Sequence, residues 1–208
     1  DYNILVRLVV SVNRHESPEL AEAVTQLAIE RRERGVVGLD LAGNEAEFSA
    51  EPFVPIFRAA KAAGLRLCVH AGEWGPAENV RQAIEVFDAD RIGHGVRVVE
   101  DPEVVALAAE RQTAFEVCIT SNYQTGAVPN LIDHPVTRML RAGLNVTLNT
   151  DDPSISQINL SGEYRLLVEH LGVSTAVLNQ RILAAAHSAF LSADEREQLV
   201  ASLKQELE

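Results

Sequence analysis

The stretch that decides the fold is LRLCVHAGE, residues 65–73. Its first part, residues 65–70, is a short and mostly apolar run, which is typical of a buried parallel strand. The run ends at His70, and Glu73 follows after one Ala-Gly pair. An apolar run with polar residues directly after it recurs along the chain, so the pattern predicts several strands that end in chemically useful side chains.

Six runs of this kind predict strands, and the stretches between and after them predict helices. The predicted strands are residues 3–12, 36–41, 65–70, 91–94, 113–119 and 144–149. The predicted helices are residues 18–34, 53–63, 78–87, 102–110, 134–142, 162–171, 174–190 and 192–207. The first helix has clear end signals: Ser17 as its cap, Pro18 in its first turn and Gly35 after its end.

Alternation of strand and helix predicts an α/β fold built around a parallel sheet. A doubly wound sheet that binds phosphate usually has a glycine-rich turn after an early strand, and Gly35, Gly38 and Gly43 do not form one. A TIM (β/α)₈ barrel has eight strands in typically about 250 residues. We therefore expect the 208 residues to form one catalytic domain, residues 1–208, with the third to eighth strands of such a barrel. The first two βα units are expected before residue 1.

Composition excludes several classes of function. The net charge of −12 disfavours nucleic acid as a partner, because an acidic surface repels phosphate. No apolar run approaches the roughly 20 residues that span a bilayer. Cys68 and Cys118 lie in strand-like runs, which favours two buried thiols in a reducing cytoplasm over one disulfide.

The residues that could carry chemistry follow consecutive predicted strands. These strand ends read DLAGNE (40–45), HAGE (70–73), GHG (93–95), TSN (120–122) and NTDDP (149–153). Active sites of β/α barrels form at the carboxyl ends of the strands. The chain thus predicts a site rich in His, Glu and Asp.

Each candidate has a functional and a structural interpretation. His70 and Asp151 could ligate a metal, although a core histidine and a turn aspartate are the alternatives. A buried Glu73 would have a raised pKa that suits proton donation. His94 between two glycines could orient a water, or simply form a turn. Asp152 could point to a substrate, whereas for Gly43 a plain turn is the better interpretation from spacing alone.

The motifs DLAGNE (40–45), HAGE (70–73), RIGHG (91–95), TSNYQTGAV (120–128) and LNTDDPSIS (148–156) together resemble the adenosine deaminase family in order and spacing. The resemblance covers nearly the whole chain. It implies a zinc-dependent (β/α)₈ barrel of the amidohydrolase type. The implied reaction converts adenosine or 2′-deoxyadenosine, with water, to the inosine product and ammonia.

The resemblance also implies a role for each motif residue. His70 and Asp151 would bind one zinc ion, and Glu73 would protonate N1 of the purine. His94 would orient and deprotonate the water that attacks C6. The N–H of Gly43 would donate a hydrogen bond to N3 of the purine, and Asp152 would form a hydrogen bond with N7.

Two further implications concern the metal and the substrate. The family's other zinc ligands form a His-x-His pair, which this chain does not contain, so the pair is expected upstream of Asp1. Adenine deaminases tend to have Asp where this chain has Gly93 and Ser where it has Thr150, which favours adenosine. The alternatives are an aminodeoxyfutalosine or adenine deaminase, another metal hydrolase on the same barrel, and a non-catalytic truncated barrel that binds purine.

Overall fold

The computed structural model describes residues 4–207, which are organised around one sheet of six parallel strands. The strands are β1 (Leu8–Asn13), β2 (Val36–Ala42), β3 (Arg66–Ala71), β4 (Arg91–His94), β5 (Ala114–Val117) and β6 (Asn145–Leu148). Each strand pairs with the next one along the chain, from β1 to β6. A doubly wound sheet reverses its strand order at a switch point, whereas a (β/α)₈ barrel does not. The observed order is therefore that of a barrel.

Helices connect the strands and follow the last one. They are α1 (Pro18–Glu30), α2 (Val54–Ala62), α3 (Ala77–Glu85), α4 (Pro102–Arg111), α5 (Ile119–Gln124), α6 (Val136–Arg141), α7 (Pro153–Ser156), α8 (Leu160–Arg165), α9 (Thr175–Ser188) and α10 (Ala193–Leu207). Helix α8 continues directly into a π-helical turn, Leu166–His170. None of the helices within residues 4–207 is both long and apolar enough to cross a membrane.

The signals predicted at the ends of α1 are present in the structure. The hydroxyl of Ser17 accepts a hydrogen bond from the N–H of Leu20, and Pro18 is the first residue of the helix. A 3₁₀ turn, Arg32–Arg34, follows α1, and Gly35 ends it with a φ of +94°. Local sequence chemistry therefore sets both ends of this helical segment.

Two strand boundaries differ from the sequence predictions by more than one residue, and two short helices were not predicted. Strand β1 begins at Leu8, where pairing with β2 starts, and the predicted start at residue 3 lies outside the described residues. Strand β5 ends at Val117, because the backbone turns helical from Ile119. Helices α5 and α7 occupy stretches that the sequence analysis treated as loops after strands. An apolar run shows where a strand passes but not where its backbone turns.

The core lies between the sheet and the surrounding helices. Its largest fully buried side chains are Phe53, Phe57, Phe87, Phe115, Leu39, Leu41, Leu65, Leu67, Ile92, Ile119, Met139 and Leu144. Cys68 and Cys118 are both free and buried, as the sequence analysis predicts. Since a parallel sheet is covered on both faces, its strands are mostly apolar.

Gly95 has to be glycine for two reasons, and we predict that Gly95→Ala destabilises the fold. Its φ is +65°, and a Cβ atom there would lie 2.3 Å from Cδ1 of the buried Phe115. A left-handed backbone costs an alanine roughly 1–2 kcal/mol, and overpacking adds about 1–3 kcal/mol. Chemical denaturation measures the free energy of unfolding.

The matched control is Gly143→Ala, because Gly143 has a φ of +76° and open space around the same position. We expect this variant to lose only the backbone contribution, about 1–2 kcal/mol. Equal losses in the two variants would show that contact with Phe115 is unimportant.

His134 is a buried titratable group, and we predict that it makes stability depend on pH. Burial lowers the pKa of His134 to about 4, and its Nδ1 accepts a hydrogen bond from the N–H of Val136. The unfolded chain therefore binds a proton between about pH 6.5 and 4 that the folded chain does not. As the pH falls through this window, this residue alone removes up to about 3 kcal/mol of stability.

Thermal unfolding at several pH values measures this effect. The variant His134→Asn keeps an acceptor for Val136 and should unfold with a weaker pH dependence than the wild type. The exposed His170 provides the control His170→Gln. Identical pH dependence in His134→Asn and the wild type would contradict the prediction.

Candidate active site

The strand ends meet at one rim because neighbouring strands are paired in parallel. Strand β3 pairs with β4 so that His70 lies beside Gly93 and Ala71 lies beside His94. The two imidazole rings have centroids 5.1 Å apart, at an interplanar angle of 63°. Two histidines that are far apart in sequence therefore form the centre of the candidate site.

Gly93 provides the space in which the His70 ring lies. A Cβ atom at Gly93 would be 2.8 Å from both Cγ and Nδ1 of His70. Real Cβ atoms essentially never approach other atoms that closely. A side chain at Gly93 would therefore require His70 to move.

The His70 ring is held by a carboxylate on the neighbouring strand. Its Nδ1 lies 2.9 Å from Oδ1 of Asp40, and Ser11 donates a hydrogen bond of 2.9 Å to Oδ2 of the same aspartate. Burial lowers the pKa of His70, but the charge and hydrogen bond of Asp40 outweigh burial and bring the pKa to about 9. The Asp40 contact leaves Nε2 as the ring nitrogen that can bind a ligand.

Sequence reasoning quoted Asp40 at a strand end but gave it no role. Burial raises the pKa of Asp40, while His70, Ser11 and Cys68 lower it, and the net shift is downward. The carboxylate therefore stays ionised. An acidic residue at the end of the strand that precedes a histidine-bearing strand is a signal that could have identified this pair.

Glu73 and His94 face each other at the centre of the site. Oε2 of Glu73 lies 3.5 Å from Nε2 of His94, and both side chains are buried. Burial raises the pKa of Glu73 to about 7, with Asp151 and Glu45 raising it and His70 lowering it. A carboxyl group with this pKa can hold a proton near neutral pH and release it.

His94 is neutral in this environment. Burial, and then the nearby His70, lower its pKa to about 4. Its φ is +60°, an unusual conformation for a residue other than glycine. Nδ2 of Asn122 lies 3.0 Å from Nδ1 of His94, so both nitrogens of the ring have a neighbouring polar group.

Asp151 lies at the same rim, close to His94. Ser121 donates a hydrogen bond of 2.7 Å to its Oδ2. Ligand atoms of Asp151, His94 and Cys118 all lie within 4.8 Å of one another. Asp152 is exposed and precedes α7, where its side chain makes no capping hydrogen bond.

Helix α5 carries Ser121 and Asn122, neither of which the sequence analysis assigned a role. Its start is held by Glu163, a buried residue of α8. The Glu163 carboxylate accepts hydrogen bonds from the backbone N–H and the hydroxyl of Thr120. The α5 helix is short, so contacts with α8 rather than helix propensity decide where its side chains point.

Gly43 lies on the β1 side of the rim with a φ of +96°. A Cβ atom there would lie 3.2 Å from the backbone nitrogen of Arg14 and 3.3 Å from Oδ1 of Asn13. The left-handed backbone at this position suits glycine and not a larger residue.

Comparison with known proteins identifies the family. The sequence profile of the adenosine deaminase family matches residues 1–206. The chain belongs to the adenosine deaminase family. An adenosine deaminase from Enterococcus faecalis is 37% identical to it over 199 residues, which are 96% of this chain and 59% of that relative. The chain thus spans about three fifths of the length of this family member.

Solved structures confirm the barrel. An amidohydrolase from Burkholderia ambifaria, with bound Zn, matches with a TM-score of 0.93 and 31% identity over 100% of this chain and 58% of that one. The adenine deaminase of Arthrobacter aurescens matches with a TM-score of 0.89 and 31% identity over 96% of this chain and 61% of that one. The α/β barrel fold predicted from the sequence is confirmed.

The donor atoms at the rim are suited to zinc. Two groups of ligand atoms lie close together: Asp40, Cys68 and His70 in one, and His94, Cys118 and Asp151 in the other. Burial raises the pKa of both thiols well above the ordinary value, so the cysteines are protonated and poor ligands. Asp40 and His70 in the first group, and His94 and Asp151 in the second, then offer imidazole nitrogens and carboxylate oxygens, which are ligand types that zinc binds.

Proposed function

We propose that this protein uses zinc to hydrolyse adenosine and 2′-deoxyadenosine to inosine or 2′-deoxyinosine and ammonia. The observation that carries the proposal is the buried Glu73, whose pKa is about 7 and whose Oε2 is 3.5 Å from Nε2 of His94. A proton donor and a neutral imidazole this close together suit the acid-assisted addition of water to C6 of a purine. Membership in the adenosine deaminase family supports the substrate class.

Glu73 is the proposed acid. It transfers its proton to N1 of the purine, which makes C6 electrophilic, while the oxygen of a water forms a bond to C6. The C6–N bond then breaks as the amino group takes up the proton that the water gave to His94 and leaves as ammonia, while the hydroxyl proton on C6 passes to Glu73. A carboxyl group whose pKa lies near the working pH is efficient in both directions of such a transfer.

His94 is the proposed group that orients the water and accepts its proton. A base at Nε2 requires that the ring proton be on Nδ1 with an acceptor beside it. Oδ1 of Asn122 is buried and has no hydrogen-bond partner within residues 4–207. An amide that turns this oxygen toward Nδ1 leaves Nε2 free to accept a proton.

His70 and Asp151 would hold the zinc ion, with a His-x-His pair from outside this chain as the other ligands. A zinc ion bound there would lower the pKa of water and so provide a nucleophile near neutral pH. Asp40 keeps the His70 ring oriented for Nε2 ligation, and Ser121 does the same for the Asp151 carboxylate. Such supporting contacts orient metal ligands in many sites.

Gly43 and Asp152 are the proposed purine contacts. The N–H of Gly43 would donate to N3, and Asp152 would hydrogen-bond N7. Asp152 is exposed and its side chain makes no capping hydrogen bond to α7, which supports this role.

The second candidate substrate is adenine, because an adenine deaminase is among the similar structures. Gly93 favours adenosine, because adenine deaminases tend to have Asp at this position. Ammonia release from adenosine, 2′-deoxyadenosine, adenine and aminodeoxyfutalosine discriminates between the candidates. Turnover of adenine alone would overturn the preference for nucleosides.

Glu73→Gln and His94→Ala are expected to lower kcat by about 10²–10⁴-fold in the natural full-length, zinc-loaded protein. The first variant removes the proton, and the second removes the imidazole that faces it. Ammonia release from adenosine under saturating conditions measures kcat.

Glu85→Gln is the control, because Glu85 is an exposed carboxylate at the end of α3. Near-normal turnover in either active-site variant would contradict the assigned roles.

Asp40→Asn is expected to weaken zinc binding by about 10–100-fold, because loss of a carboxylate behind a metal-binding histidine has effects of this size. Titration with zinc against a competing chelator measures the affinity without any assay of activity. Asp194→Asn in the exposed first turn of α10 is the control. Unchanged zinc affinity in Asp40→Asn would contradict the proposed orientation of His70.

A further inference from the structure

Glu45 is a buried carboxylate that the proposed mechanism does not use. It lies beyond the end of β2, and only 7% of the residue is exposed. Burying an ion without partners is very unfavourable, so its surroundings have to compensate for the lost hydration. Those surroundings are the turn that carries Glu73.

Each oxygen of the Glu45 carboxylate accepts two hydrogen bonds. Oε2 accepts from the backbone N–H of Gly72 at 2.9 Å and from Nδ2 of Asn79 at 2.8 Å. Oε1 accepts from the backbone N–H of Glu73 at 2.6 Å and from that of Trp74 at 2.8 Å. Three consecutive amides of the turn therefore point at one carboxylate, which uses its full acceptor capacity of about four sites.

The turn is shaped around this carboxylate. A Cβ atom at Gly75 would lie 2.1 Å from Nδ2 of Asn79 and 2.8 Å from Oε2 of Glu45. Gly72 has a φ of +70°, and a Cβ atom there would lie 2.6 Å from Cγ2 of Val80. Glycine at position 75 thus lets the backbone approach the Glu45 side chain, and glycine at position 72 lets the turn pack against Val80.

Two side chains of opposite charge, Arg14 and Glu45, hold the end of β3 and the turn that follows it. The guanidinium of Arg14 donates a hydrogen bond to the carbonyl oxygen of His70, and it interacts electrostatically with Glu45. Burial raises the pKa of Glu45, but hydrogen bonds from the Asn79 side chain and the backbone N–H groups lower it by more. The net shift is downward, so the carboxylate is ionised. A cation therefore holds the carbonyl of His70 near the end of β3, and an anion holds the amides of the turn that follows.

We infer that Glu45 is a positioning residue for the proposed acid: it fixes the backbone of residues 72–74 and thereby places the Glu73 carboxyl against His94. This inference rests on the proposed function of Glu73. Glu45 need not touch the substrate to affect catalysis, because displacement of a reacting group by about 1 Å can lower a rate by 10²-fold.

The test compares Glu45→Gln with Glu47→Gln in the natural full-length, zinc-loaded protein. Glutamine has the shape of glutamate, but its NH₂ group would face two donors, so half of the contacts become repulsive. Glu47 lies two residues away and is exposed, which makes its variant a matched control. We expect Glu45→Gln to lower kcat for adenosine by about 10–100-fold, with KM changed less than about 3-fold.

Hydrogen exchange provides a second measurement that does not depend on activity. The amides of residues 72–74 should exchange faster in Glu45→Gln than in the wild type, and at the wild-type rate in Glu47→Gln. Asn79→Ala removes one of the four contacts and keeps the charge, so it should lie between the two in both exchange rate and kcat. This milder variant decides the question if Glu45→Gln does not fold.

The outcomes separate this inference from the proposed function. A wild-type protein that releases no ammonia from any nucleoside overturns the function of the site. An active wild type with unchanged kcat in a folded Glu45→Gln or Asn79→Ala variant overturns only the role of Glu45. Wild-type exchange of amides 72–74 in a folded Glu45→Gln variant overturns it as well.

Discussion

The in-register parallel pairing of β3 with β4 is the constraint on which the rest of the site depends. Adjacent strands are about 4.8 Å apart, and here the pairing brings the ends that carry His70 and His94 to the same rim. With Gly93 in register beside it, the His70 ring can lie across β4, and the ring centroids are 5.1 Å apart.

The rim also depends on backbone conformations that are unfavourable in isolation. His94 and Asp151 both have positive φ values, +60° and +57°. Residues in this region that are not glycine cost roughly 1–2 kcal/mol each, and they persist where the surrounding structure holds them. Asn122 and Ser121 supply that support through direct hydrogen bonds, and Glu163 fixes the helix that carries them. Side chains of one neighbouring helix, α5, therefore hold the strained backbone at the site.

Neighbouring carboxyl groups have different proton affinities because their surroundings differ. Glu45 accepts four hydrogen bonds and Asp40 faces His70, so the pKa of each is lowered despite burial. Burial dominates for Glu73, which also lies near the negative charges of Asp151 and Glu45, and its pKa rises to about 7. Asp40 and Glu45 therefore stay ionised, whereas Glu73 can gain and lose a proton near neutral pH.

Much of the fold was predictable from the sequence, because the signals that define it are local. The six apolar runs predicted six parallel strands, and Ser17, Pro18 and Gly35 predicted the ends of the first helical segment. Strand ends were less predictable, as the helix that starts at Ile119 shows, because the last hydrogen bonds of a strand depend on its neighbour.

The amino-acid sequence by itself determined the order of strands and helices and the motifs at the strand ends, since both depend on short spacings along the chain. Only the tertiary structure decided which side chains face each other. Asp40 is 30 residues from His70, and Asn122 is 28 residues from His94, yet each pair is in contact. The ionisation of Glu73 and the four partners of Glu45 follow from such contacts, because desolvation and hydrogen bonding depend on what the fold packs around a group.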